Sequence, residues 1–337
     1  MGPKGPKEPT LVMSALAAAG LLEGSLLNCV AERSLSLVPQ FTATQLVSLL
    51  FTCSTVRAVH APLLQAVRDM AVDCFDAFTP SQVAVIASTC GSLGIANSNV
   101  SKAVAARALL HLAEFNVGHL VALIVASSKF DTPSIDFRIA VEETLAPLVN
   151  QLSFYDMRCI TSTWSKERQG NQRLIAALAS EVMSLRAILD PYTISHVACA
   201  YSRLGCYDGE LFEHLAIRAV DTVNGFSTLQ LAYTAVAFAD AGVDDDMLLI
   251  SLAEEALTRM DSASVSRGAA SMLGAAFIKA DVRCDSIDRL LRKLASHAVL
   301  HGWTELRDSD VQASAFQQRC AEAVRSLTTG LRTNQQH

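Results

Sequence analysis

The sequence predicts an all-α fold, an α-solenoid superhelix of 37-residue helix–turn–helix repeats, and three observations carry that prediction. A large apolar residue followed by a helix-capping residue recurs at Phe41-Thr42, Phe78-Thr79, Phe115-Asn116, Leu152-Ser153, Leu189-Asp190 and Phe226-Ser227, each pair 37 residues after the last. Equal spacing of this kind is the signature of a repeat architecture. Each landmark is followed by two apolar patterns of helical period. Composition is the third: 51% of the 337 residues are hydrophobic and 18% charged, with only 16 glycines and 9 prolines, so there is ample material for a continuous core.

The first helix of each unit opens on a residue that can accept a hydrogen bond from an orphan N–H of the first turn. Gln45, Gln82 and Gln230 stand three residues after their caps, completing capping boxes. The Phe or Leu before each cap can pack as a hydrophobic staple against Leu46, Val83, Leu120, Met157, Ile194 or Leu231. Apolar or small residues then recur with helical period, as in Leu46/Leu49/Leu50/Cys53 and Ile194/Val197/Ala198/Tyr201. This helix is expected to end at Gly94, Gly205 and Gly242, equivalent positions suited to a left-handed cap. The second helix repeats apolar residues every four positions, as in Leu63/Val67/Ala71/Phe75, Phe137/Val141/Leu145/Val149 and Leu211/Leu215/Ala219/Val223.

Extended in both directions, the register makes residues 1–337 a single solenoid. A truncated first repeat covers 10–41, with Gly20 at the glycine position; six repeats cover 42–265 and a last one 266–301, opening at Val265-Ser266 after 39 residues. Residues 302–337 are expected to form a capping helix, over Asp308 to Thr328, and a tail, because a solenoid must cover its last apolar face.

Several function classes are disfavoured. There is no phosphate-binding G-x-x-x-x-G-K-[ST], no nucleophile elbow and no H-E-x-x-H, and an enzyme is not expected. His297 and His301 stand four apart without a third ligand nearby, and Asp244-Asp245-Asp246 falls where a helix begins and its dipole favours acids; no metal or other cofactor is expected. The nine cysteines are scattered with no C-x-x-C and read as reduced packing residues. No apolar run is long enough for a membrane span. Lys4 and Lys7 before Leu11 to Leu22 look like a presequence, but the stretch keeps the repeat register.

Thirteen residues after each cap stand Thr55, Ser92, Lys129, Lys166, Arg203, Asp240 and Lys279. Stacking would align Lys129, Lys166, Arg203 and Lys279 as a phosphate ladder for an RNA backbone; the competing reading is compensation of helix dipoles, at about 0.3–1 kcal/mol each. Third and sixth after the cap, on the face expected to be exposed, stand Gln45, Gln82, His119, Thr193, His196, Gln230 and Tyr233, a polar variety that suits base contact and equally an unselected solvent face. The net charge of −6 supplies no bulk attraction to nucleic acid.

A hairpin opening on aromatic–cap–x–x–Gln–Leu and closing as in Ala200-Tyr201-Ser202-Arg203-Leu204-Gly205 resembles the heptatricopeptide repeat. It is similar also to the octatricopeptide and FAST-kinase-like/RAP families of organellar helical-repeat proteins, although the 37 residues after residue 300 show no strand pattern for a RAP domain. The resemblance implies a mitochondrial protein that binds RNA, or sits against RNA with other protein subunits, in a ribosome or an RNA-processing complex. Neither membrane insertion nor a small-molecule substrate is expected. The alternative is a protein–protein scaffold that never touches RNA, as other helical arrays are.

Overall fold

A computed structural model of the protein describes residues 12–16, 24–56, 60–131, 134–243, 245–262, 265–280, 282 and 284–300. The expected start at Thr10, Gly20, Asp244, His301 and everything assigned to 302–337 lie outside the described residues, as does the side chain of His297. Among the described residues the regular structure is helical throughout. Fifteen α-helices have defined bounds: α1 (Gly24–Leu35), α2 (Ala43–Val56), α3 (Ala61–Asp73), α4 (Pro80–Leu93), α5 (Ser98–Leu110), α6 (Val117–Ser127), α7 (Ile135–Leu145), α8 (Phe154–Glu167), α9 (Gln172–Ser184), α10 (Pro191–Leu204), α11 (Gly209–Asp221), α12 (Thr228–Ala241), α13 (Asp246–Ser262), α14 (Arg267–Ala280) and α15 (Asp285–Leu300).

The helix starts are those the caps specify. The side chains of Thr79, Asn116, Asp190 and Ser227 accept from the backbone N–H groups of Gln82, His119, Thr193 and Gln230, and Thr79 and Ser227 complete reciprocal capping boxes. Ser153 is capped in the same manner by an acid, with Asp156 accepting from the Ser153 N–H at 3.0 Å. The second helices are capped too, by Asn97, Ser134 and Asp208 and by Asp245, which accepts from Leu248 N–H at 2.9 Å. At the other end Gly94, Gly205 and Gly242 adopt φ of 68°, 69° and 68°, the left-handed conformation that glycine takes without steric cost.

One local feature departs from the expected pattern. Phe75, Val149 and Val223, read as the last apolar positions of second helices, instead belong to short 3₁₀ turns at Phe75–Ala77, Ala146–Gln151 and Val223–Gly225. Similar turns lie at Val38–Gln40, Leu112–Glu114 and Arg186–Ile188. The staple residue closes most of them: Phe78 N–H donates to Phe75 O at 3.2 Å and Phe226 N–H to Val223 O at 3.2 Å. Tightening from α to 3₁₀ lets the chain turn into the next first helix while its backbone groups stay bonded. Arginines brace the same turns, Arg107 Nη2 donating to Phe78 O at 3.4 Å and Arg218 Nε to Leu189 O at 3.1 Å, each from 29 residues downstream.

The chain divides into two compact units, Met1–Thr163 with Gly170–Ala177, and Trp164–Gln169 with Leu178–His337. In the first, α2, α4 and α6 pack side by side in one layer, and α3, α5 and α7 form a second layer behind them that α1 joins by packing on α3. In the second, α10, α12 and α14 form one layer and α11, α13 and α15 the other. Within each unit these first helices pack on one another and on their own second helices, so their apolar faces are buried on two sides. Leu46, Leu50, Val83, Ala87, Ile194, Val197, Leu231 and Ala235 are accordingly all within 1% of complete burial. Between the layers of the second unit, Phe212 meets Phe238 edge to face at 5.1 Å, a geometry worth about 0.5–1.5 kcal/mol beyond area burial. In the first unit Glu142, 1% exposed, pairs with Arg138 Nε at 3.2 Å and accepts from Asn171 N–H at 2.6 Å, which satisfies a charge that would otherwise be costly to bury.

Phe78 is 1% exposed and meets Phe75 at 5.6 Å between ring centroids. Phe78→Ala is therefore expected to lower the unfolding free energy by about 3–5 kcal/mol through lost transfer energy and a residual cavity; a loss under about 1 kcal/mol in urea titration would contradict this packing. A second expectation concerns pH. Burial pushes the thiols of Cys53 up to about 11 and of Cys90 and Cys199 up to about 12. Their folded values exceed the unfolded value of 9.0, so the unfolded chain releases protons first. The stability they contribute is complete below about pH 9 and lost as pH rises from there through about 12. Alkylation near pH 8 should modify exposed Cys29 and spare these three until the protein unfolds; equal labelling of Cys90 and Cys29 in the native protein would contradict it.

Candidate nucleic-acid interface

The expected cations all stand at the C-terminal ends of first helices, where unpaired carbonyls attract positive charge. Lys129 follows α6, its N–H bonded to Ala126 O at 2.9 Å. A Cβ placed on Gly91 of α4 would lie 3.4 Å from both Cβ and Cδ of Lys129, so glycine there leaves room for the lysine stem while its ammonium stays exposed. Lys166 is exposed in the last turn of α8. Arg203, exposed in the last turn of α10, donates through Nη1 to Ser165 O at 3.3 Å. Lys279, in the last turn of α14, forms a 2.5 Å ion pair with Asp240 of α12, so two members of the same stripe neutralise each other. Among the described residues no ion pair is found for Lys129, Lys166 or Arg203.

One residue outside the expected set belongs to this group. Arg168 follows α8 with φ of 54°, the positive φ found outside glycine among the described residues. It stands fifteen residues after Ser153, as Gly94, Gly205 and Gly242 stand after Thr79, Asp190 and Ser227. Its N–H closes on Trp164 O at 2.7 Å, so the backbone completes the helix end as glycine does. An L-residue held there costs on the order of 1–2 kcal/mol. The spacing from the cap carried the signal: Arg168 falls where Gly94, Gly205 and Gly242 fall after their own caps, while Arg57 and Asp131 stand at the same distance after Thr42 and Asn116.

The residues expected to face bases are variously committed. The amide oxygens of Gln45, Gln82 and Gln230 accept from the N–H groups of Thr42, Thr79 and Ser227 at 2.9, 2.9 and 2.7 Å, and Gln82 Nε2 also donates to Thr44 in the neighbouring helix at 3.3 Å. Thr193 is fully buried, so the exposed face expected there is absent: a first-turn side chain leans back toward the cap, and the short threonine is covered. His119 packs edge to face on Phe115 at 6.3 Å, and burial lowers its pKa, which keeps the ring neutral at pH 7. His196 meets Tyr192 edge to face at 4.6 Å, and Tyr233 is half-buried on α12. Tyr192, 48% exposed, and Leu229, 45% exposed, both two residues after a cap, are the apolar surface that reading only the third and sixth positions overlooked.

This arrangement offers cations, amides and an exposed ring. Among the described residues no cluster of three or more His, Cys, Asp or Glu is gathered as a metal site. Nor is any described helix long and apolar enough to cross a membrane.

A search of the curated proteins found no match. The sequence model of the family described as RNA-editing substrate-binding complex 6 protein does match, over residues 80–302, well over half of the chain and spanning the helices that carry Lys129, Lys166, Arg168, Arg203 and Lys279. An all-α chain with cations gathered at its helix ends thus belongs to a helical, RNA-associated family, that of the RNA-editing substrate-binding complex 6 proteins.

Proposed function

We propose that this protein is a non-catalytic subunit of an RNA-editing substrate-binding complex in mitochondria, an α-solenoid of heptatricopeptide-like repeats that lies against RNA and against other protein subunits. The observation that carries the proposal is the family match over residues 80–302, since the family's name couples editing with substrate binding. Of the two assemblies implied by the repeat resemblance, an RNA-processing complex agrees with that name better than a ribosome does. Exposed Lys129 in the first unit, and Lys166 and Arg203 in the second, free of acidic partners among the described residues, are each available to a phosphate. Lys279 contributes little to it, because Asp240 neutralises its charge at 2.5 Å.

The scaffold reading has one observation in its favour, the net charge of −6, which gives no long-range attraction to RNA. Ultraviolet crosslinking of the native complex, followed by mass spectrometry of the crosslinked peptides and sequencing of the RNA, separates the two. Direct contact predicts RNA adducts on peptides containing Lys129, Lys166 or Arg203. Recovery of the complex with its RNA crosslinked only to other subunits would overturn direct contact and leave this chain as a protein scaffold.

A further inference from the structure

The end of α8 differs from the ends of α4, α10 and α12 in a way that capping does not explain. Cations beside helix C-termini are ordinarily accounted for by the dipole and by orphan carbonyls, and that account covers Lys166 and Arg203, whose Nη1 donates to Ser165 O at 3.3 Å. It covers the charge of Arg168 but not its backbone conformation. The same backbone bend is made by glycine at 94, 205 and 242, and for glycine the left-handed φ is unstrained. Arginine at 54° keeps the strain, and among the described residues no acid pairs with its exposed side chain. Strain that no ion pair among the described residues offsets points to a partner outside the chain.

The surroundings indicate the partner's chemistry. Lys166 precedes Arg168 by two residues, and the Arg203 guanidinium is fastened to Ser165 O, so three cations gather around one helix end within the second compact unit. Arg203 has donors left beyond the one bonded to Ser165, and Arg168 offers the planar fork that matches a phosphate. We infer that Lys166, Arg168 and Arg203 together form a phosphate-binding cluster for the backbone of single-stranded RNA, with arginine in place of glycine at 168 to make that contact. This rests on the proposal of direct RNA contact and goes beyond it by assigning one place and a residue outside the stripe. Backbone binding of this kind is independent of base identity.

The test exploits the opposite signs expected for folding and binding at one position. In the full-length protein, Arg168→Gly removes the strain and the charge together: the melting temperature should rise while affinity for a fluorescent single-stranded oligocytidylate falls by about tenfold, as loss of a charge-assisted phosphate bond implies. The slope of log K against log salt should flatten by about 0.7. R168K, which keeps a cation, should retain most of the affinity, the combined K166Q/R168G/R203Q should flatten the slope by about 2, and K279Q should bind as the unaltered chain does. If the unaltered chain binds the oligonucleotide and R168G melts higher with unchanged affinity and slope, the cluster is overturned while RNA contact stands. If the unaltered chain does not bind even at low salt, direct RNA contact is overturned and the cluster falls with it.

Discussion

Short helices are the constraint on which the rest depends. The described helices run from 11 to 17 residues, and every helix leaves four N–H and four C=O groups without intrahelical partners whatever its length. In all but the two longest of them, more than half of the residues lie in those end turns. A chain built this way must therefore settle its helix ends before packing can stabilise it, and the caps at Thr79, Asn116, Asp190 and Ser227, the left-handed glycines and the 3₁₀ turns between hairpins all meet that need. Having fixed where each helix begins and stops, they also fix which residues face the neighbouring hairpin, because a helix that starts one residue late rotates its apolar stripe by about 100°.

This explains what could be read from the residues and what could not. Caps, staples and terminal glycines act within a few positions of one another, so the start of α4, α6, α10 and α12 was legible directly. The 3₁₀ turns were not, because Phe75, Val149 and Val223 continue the four-residue apolar period of the preceding helix, and periodicity alone does not distinguish a last helical turn from a tighter one. At the interface, the stripe containing Asp240 and Lys279 was legible as a stripe, yet their mutual neutralisation depends on side-chain reach across two helices. Thr193 shows the same limit: the face of a first-turn residue follows from the periodicity, whereas its burial depends on what covers the cap.

Arg168 is a different case, in which an arginine holds the left-handed conformation that glycine holds at the ends of α4, α10 and α12. Left-handed helix ends favour glycine because Cβ crowds the following carbonyl, and that preference is met at 94, 205 and 242. The chain supplies its own comparison here, since the same backbone geometry occurs with and without a side chain.

The same bookkeeping of partners reconciles an acidic chain with a role beside RNA. Net charge governs the field at long range, but at physiological salt screening confines exposed charges to about 8 Å, so a bound strand responds to the groups nearest it. Many of the acids have local employment. Asp190, Asp208 and Asp245 cap helices, Glu142 is buried against Arg138, Glu255 holds Arg259 and Asp240 holds Lys279. An acid bonded to an N-terminal N–H or to a cation presents little field to solvent, whereas Lys129, Lys166, Arg168 and Arg203 are exposed at helix ends without acidic partners among the described residues. Part of the acidic charge is thus committed to helix caps and ion pairs, whereas these cations at the helix ends are not.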